Sequence, residues 1–167
     1  LKNKLIKNLK ISQFIVDDID LSINLLFKKL YPTKPMNIIG VTGTNGKTSV
    51  AWYISQICLS SKILTKTYGT LGYYINGKKI SNSVLTTPEY EVLYQSAFLK
   101  KNNKYNFIFE VSSHALDQDR LKNFPIDIAA ITNITQDHLD YHKNFQNYKK
   151  AKVKLFLKYL DKKGYAV

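Results

Sequence analysis

Gly40-Val41-Thr42-Gly43-Thr44-Asn45-Gly46-Lys47-Thr48 is the stretch whose residue types point most directly to chemistry. Glycines let a backbone turn its N–H groups inward around phosphate oxygens. A helix beginning just after them adds partial positive charge. Lys47 would neutralise β/γ-phosphate charge, and the Thr48 hydroxyl would meet the Mg²⁺ that travels with a nucleoside triphosphate. The usual spacing G-x-x-x-x-G-K-[ST] is not met in full, because its first position falls on Val41; Gly40, Gly43 and Gly46 instead recur every third residue. Gly43, Thr44, Asn45, Gly46, Lys47, Thr48 and Ser49 are the candidate nucleotide contacts. The competing reading is a glycine-rich turn with a solvated lysine. An apolar run before the loop and a helical pattern after it weigh against that. The loop specifies a nucleotide, not a reaction: a kinase, a GTPase, a motor or a ligase would all accept it.

Other reactive residue types are less selective by themselves. Glu110 follows an apolar run, at the strand end where open α/β sheets place their sites, and Mg²⁺ takes oxygen ligands. The competing reading is a strand-end glutamate paired with one of many lysines. The three histidines, His114, His138 and His142, are not separable by residue type. Lys149, Lys150, Lys152, Lys154 and Lys158 crowd one helical stretch, and nothing in their chemistry prefers one. Arg120 is the only arginine in a chain that otherwise uses lysine for its positive charge. Its planar fork suits pyrophosphate or carboxylate.

The elements that must carry these residues alternate. A short strand is expected at 13–16, then a helix over 21–30 capped by Asp20, then a proline-marked linker at 31–35. The run MNIIGV reads as the strand entering the loop, and SVAWYISQICL as the helix leaving it. A second strand is expected at 62–67. Asn76-Gly77 within GYYINGKKI signals a hairpin. Pro88 opens a helix reaching about Lys101, with Glu89 and Glu91 in its first turn. NFIFEV and IDIAAIT read as buried strands, 145–160 as a helix, and 164–167 as the start of another strand. This order argues an α/β fold: a P-loop-containing, doubly wound, mainly parallel sheet.

Composition narrows the class. With 167 residues and 44% hydrophobic content, the chain can bury a real core. One Cys excludes an internal disulfide framework and suits a reducing compartment. No apolar run approaches the roughly 18 residues of a membrane span, and the basic start LKNKLIKNLK leads into no apolar core like that of a secretory signal. Twenty-five basic against 12 acidic residues give a formal charge of +13. That first suggests an acidic partner such as nucleic acid. The cations are almost all Lys, spread along a chain rich in Asn and Ile, which fits base composition better than a binding surface.

Four motifs in order, GVTGTNGKTS, LTTPE at 85–89, EVSSHALDQDR at 110–120 and TNITQDHLDYH at 132–142, resemble the Mur ligase family. They are most similar to its branch that adds the third amino acid to UDP-N-acetylmuramoyl-L-alanyl-D-glutamate (UDP-MurNAc-L-Ala-D-Glu) in peptidoglycan synthesis. The resemblance implies a cytoplasmic bacterial ligase that uses ATP and Mg²⁺ to form an amide through an acyl phosphate. By the same resemblance Lys47 serves the phosphates, Glu110 with Thr48 the first metal and His138 a second. Lys152, in Tyr-x-x-Ala-Lys, corresponds to a lysine that CO₂ converts to a carbamate, an anionic oxygen ligand. Thr86, Thr87, Ser112, Gln118 and Arg120 correspond to contacts with the UDP-sugar peptide. Many relatives have Asn before the threonine pair, where this chain has Leu85. The expected partners are the UDP-MurNAc dipeptide and an amino acid, diaminopimelate or lysine, with neither nucleic acid nor membrane insertion. Folylpolyglutamate synthases share the loop and a related His motif, and a non-catalytic nucleotide-binding remnant is the other alternative.

The resemblance also implies a division of the chain. Residues 1–35 correspond to the end of a domain that binds the uridine side of the substrate, and 36–167 to the first part of the ATP-binding central domain. With the third domain of the family absent, 167 residues alone are not expected to catalyse ligation.

Overall fold

The computed structural model describes residues 11–98 and 104–167. In chain order these form α1 (Ile19–Leu30), β1 (Asn37–Thr42), α2 (Lys47–Ser60), β2 (Leu64–Gly69), β3 (Gly72–Ile75), β4 (Lys78–Ser81), α3 (Tyr90–Ala97), β5 (Tyr105–Glu110), α4 (Ser113–Asp117), β6 (Ile126–Ile131), α5 (Leu139–His142), α6 (Phe145–Lys154), a π-helical turn (Leu155–Tyr159) and β7 (Leu160–Ala166). The seven strands make one sheet in the order β4-β3-β2-β5-β1-β6-β7. From β2 to β7 neighbouring strands are parallel; the β3–β4 hairpin adds two antiparallel strands at one edge.

β1 and β5 are central, and both faces of each are covered, which is why they read as continuous apolar runs rather than alternating ones. Successive side chains point to opposite faces. Ile38, Phe107 and Phe109 therefore share one core with Leu93 and Tyr94 of α3, Leu116 of α4 and Phe124. Ile39, Val41 and Ile108 pack on the other face with Ala51 of α2. The chain leaves β1 through α2 for β2, on the far side of β5, and leaves β5 through α4 for β6, on the far side of β1. These opposed departures open a crevice at the carboxyl ends of β1 and β5, where the loop and Glu110 lie. The expected doubly wound, mainly parallel sheet is what forms.

Several local expectations shift. Residues 13–16 make no strand: Phe14 and Ile15 are exposed, and the sheet's edges are β4 and β7. The cap of α1 is Asp18, whose carboxylate accepts from Leu21 N at 2.9 Å; Asp20 lies inside the first turn, where an acid meets the positive helix end. The hairpin turns on Asn76 and Gly77 as expected, both with positive φ (50° and 76°), the pairing that matches strand twist. α3 starts at Tyr90 and is extended again at Phe98; residues 99–101 of the expected helix lie outside the described residues. Side chains end it: Lys66 Nζ and Tyr73 OH donate to Ser96 O, at 2.9 and 3.1 Å, and Tyr105 OH donates to Ala97 O. Burial of Lys66 there pushes its ammonium down to about 8. The last helix gives way to the π-helical turn, and β7 begins at Leu160, earlier than the expected 164. Among the described residues no helix is long and apolar enough to cross a membrane.

Candidate functional site

The glycine loop joins β1 to α2 and is fastened to the segment after β6. Thr44 N donates to Asn133 O at 2.9 Å, Asn45 N to Asn133 Oδ1 at 3.1 Å, and Thr132 Oγ1 to Asn45 O at 2.6 Å. Gly43 makes the close approach possible: its φ is 142°, and a Cβ there would sit 1.9 Å from Thr132 Oγ1. Gly46 caps α2 at φ 81°, and with no side-chain cap the first N–H groups of α2 are left for a ligand. Lys47 folds back over the loop, donating to Gly43 O at 2.9 Å and Thr44 O at 2.8 Å. Burial lowers its pKa, against the opposing pull of Glu110 and Asp137.

Glu110 ends β5 almost completely buried, at 2% exposure. Its Oε2 accepts from Thr48 Oγ1 at 2.8 Å, and its Oε1 from Thr70 N at 2.7 Å. The described hydrogen bonds of Glu110 come from hydroxyls and an amide, and no lysine ion pair to it is described. A buried anion with hydroxyl neighbours, beside a loop suited to phosphates, has the donor chemistry for Mg²⁺. Among the described residues no three His, Cys, Asp or Glu side chains converge on one point as a cage.

Lys152 is the one buried lysine of the five on its helical stretch, 1% exposed. Its Nζ donates to Gly43 O at 2.6 Å and lies 4.7 Å from the Tyr148 ring centre. Burial, reinforced by Lys47 and opposed by Asp137, pushes its pKa down to about 7. Tyr148, Ala151, Lys152 and Leu155 are all buried and follow the i, i+3, i+4, i+7 spacing of an inward helix face. That spacing was the signal that separates Lys152 from its neighbours.

The histidines gather around α5. His138 stands before it at φ 50°, half exposed, its Nε2 3.5 Å from Asp137 Oδ2. The His114 ring lies 4.9 Å from that of His138 and 5.6 Å from that of His142. His142 is buried and bonded to Ser113 Oγ at 3.0 Å, a packing role. Burial lowers the pKa of both His114 and His142. His138 makes no described contact with Glu110 or Lys152; it is linked to the loop through Tyr148, ring to ring at 6.4 Å, whose OH meets Thr44 Oγ1 at 2.8 Å. Glu110 with Thr48, Lys152 on the loop carbonyl of Gly43, and His138 beside Asp137 and Tyr148 are therefore separate neighbours rather than one cluster.

The candidate substrate residues form a third group on the same rim. Thr87 is buried; its hydroxyl donates to Glu110 O at 2.8 Å and accepts from Ser112 N at 2.9 Å. Ser112 caps α4. Arg120 donates to Gln118 Oε1 at 2.7 Å and Thr87 O at 3.3 Å, with Glu89 3.5 Å away. Leu85 is exposed. Three residues that sequence reading passed over belong to the site. Asp137 acts electrostatically on Lys47 and Lys152, and Tyr148 on Thr44 and Lys152. Thr70 holds Glu110. Asp137 and Tyr148 stood inside quoted motifs, whereas Thr70 gave no signal beyond following a strand.

Residues 41–167 match the family model described as Mur ligase middle domain. A UDP-N-acetylmuramoyl-L-alanyl-D-glutamate–2,6-diaminopimelate ligase of Rickettsia montanensis is 39% identical over 96% of this chain and 35% of its own length. The ligase of that name from Fusobacterium nucleatum is 43% identical over 90% of this chain and 31% of its own. A solved structure of a ligase so named superposes with a TM-score of 0.64 at 34% identity, covering 78% of this chain and 26% of the other. The chain thus spans about a third of the length of the curated relatives it matches.

Proposed function

The chain belongs to the Mur ligase family, and from that premise we propose that it is the nucleotide-handling part of an ATP-dependent ligase that joins an amino acid to UDP-MurNAc-L-Ala-D-Glu. The observation that carries the reading is the juxtaposition, at the carboxyl ends of β1 and β5, of the Gly43–Thr48 loop with buried Glu110, Thr48 Oγ1 and Glu110 Oε2 lying 2.8 Å apart. Relatives at 39% and 43% identity that are named for the muramoyl peptide favour it over a folate substrate.

A carboxylate resists attack by an amine because its leaving group is an oxide. Transfer of the γ-phosphoryl group of ATP to that carboxylate gives an acyl phosphate and ADP. The amine then adds to the acyl carbon, and phosphate departs with the electrons of the C–O bond while the amide forms. The phosphoryl group carries spread negative charge in flight, so catalysis is positioning and charge stabilisation. Lys47 and the free N–H groups of α2 hold the phosphates. Thr48 and Glu110 would hold Mg²⁺, which would supply Lewis-acid charge for the transfer. We assign His138 and Lys152, the latter as its carbamate, to a second ion. Thr86, Thr87, Ser112, Gln118 and Arg120 face the UDP-sugar peptide, and residues 36–167 form the ATP-binding unit, preceded by the end of a substrate domain.

The test is binding to the 167-residue chain by calorimetry. Mg²⁺-dependent binding of a non-hydrolysable ATP analogue is expected, lost in Lys47→Ala. The UDP-MurNAc dipeptide is expected to bind and a folate is not. Absence of nucleotide binding overturns the reading, and folate binding redirects it to the sister ligases. Formation of tripeptide, ADP and phosphate is expected of a polypeptide of the relatives' full length, not of these residues alone.

A further inference from the structure

The parallel register that sets Tyr68 beside Phe109 brings the end of β2 under the carboxylate of Glu110. Gly69 lies so close that a Cβ on it would stand 2.1 Å from Glu110 Oε1 and 2.7 Å from Cδ. The next residue, Thr70, holds both carboxylate oxygens. Its N–H donates to Oε1 at 2.7 Å, and its hydroxyl to Oε2 at 3.3 Å. The same hydroxyl lies 3.2 Å from Thr86 Oγ1.

The direction of this chain follows from valence. An ionised carboxylate only accepts, and a hydroxyl has one hydrogen. Thr70, donating to Glu110, must therefore accept from Thr86, and Thr48 must likewise donate to Oε2. The oxygen of Thr48 keeps its lone pairs free for a cation while its hydrogen is held by Glu110. The carboxylate is thus held at Oε1 by a backbone amide and at Oε2 by two hydroxyls, over a Gly69 whose missing Cβ leaves it space.

We infer that Thr70 is a positioning residue: it orients the Glu110 carboxylate toward the cation beside Thr48 and joins it to Thr86 on the substrate rim. This rests on the metal role proposed above for Glu110. Partners that orient a metal-binding carboxylate commonly govern affinity about 10- to 100-fold. Thr70 is exposed, so its hydroxyl contributes little to the core, and a purely structural role would leave cation affinity unchanged.

The experiment is titration of Mn²⁺, followed by its electron paramagnetic resonance signal, into the protein saturated with a non-hydrolysable ATP analogue. Thr70→Val is expected to weaken Mn²⁺ binding about 10-fold, and Thr70→Ala equally, while Thr70→Ser stays within about twofold of the parent. Glu110→Gln sets the scale for loss of the carboxylate. Parent-like binding in Thr70→Val and Thr70→Ala, with Glu110→Gln weakened, overturns the inference alone. Parent-like binding in Glu110→Gln overturns the metal role itself and the inference with it. Weakening in Thr70→Ser as large as in Thr70→Val also overturns it, because the hydroxyl would then not be the acting group. Thermal melts of each variant confirm that the fold is kept.

Discussion

Lys152 Nζ donates to the carbonyl of Gly43 at 2.6 Å, across 109 positions of sequence. A helix near the end of the described chain is thereby pinned to the phosphate loop near its start. The same carbonyl accepts from Lys47 at 2.9 Å, so two lysine side chains converge on one backbone oxygen, and Lys47 adds to the burial that discourages charge on Lys152.

The first prediction concerns CO₂. Only a neutral amine adds CO₂. With a pKa of about 7, roughly half of the Lys152 amines are neutral at pH 7. At an ordinary lysine pKa the share would be roughly one in three thousand. Protein equilibrated with ¹³C-bicarbonate is expected to show a carbamate carbon resonance that disappears in Lys152→Arg. No such resonance at pH 7 to 8 would remove the carbamate from the mechanism.

The same shift fixes the sign of a stability profile. Lys152 titrates near 7 in the fold and near the ordinary lysine value of 10.5 when freed. Between those values the unfolded chain holds a proton that the folded chain does not, so this group's contribution to stability rises with pH. Below pH 7 both states are protonated and the burial penalty is present in full. In CO₂-free buffer the melting temperature of the parent, relative to Lys152→Met, is expected to climb from pH 7 toward pH 10. A flat difference would contradict it.

Gly43→Ala tests the loop. The substitution combines a φ of 142° with a Cβ placed 1.9 Å from Thr132 Oγ1. Strain of this kind costs about 1–3 kcal/mol, and a drop in melting temperature of roughly 3–10 °C is expected for a chain of this size. Adding Thr132→Ala removes the contact but not the strained φ, so partial recovery is the expected result in a melt of the double variant.

Arg120→Lys keeps the charge and loses the fork that spans Gln118 and Thr87. Affinity for the UDP-MurNAc dipeptide is expected to fall about 10-fold, the order of one charge-assisted hydrogen bond. ATP-analogue affinity is expected to stay unchanged. Calorimetry of both ligands on one variant separates substrate from nucleotide effects.

Sequence by itself determined what local chemistry dictates. The turn at Asn76-Gly77 follows from the need for two positive φ values, the buried strand ending in Glu110 from its apolar run, and the loop from its glycines followed by Lys47 and Thr48. The order of strands and helices then implied the sheet. Tertiary structure decided what depends on residues distant in the chain. It denied residues 13–16 a strand because the sheet has its edges elsewhere, and ended α3 early because Lys66, Tyr73 and Tyr105 take its last carbonyls. It buried Lys152 while its neighbouring lysines stayed more open, and set Thr70 beneath Glu110. Burial and register are properties of packed elements, and both the pKa of Lys152 and the orientation of Glu110 come from them rather than from residue type.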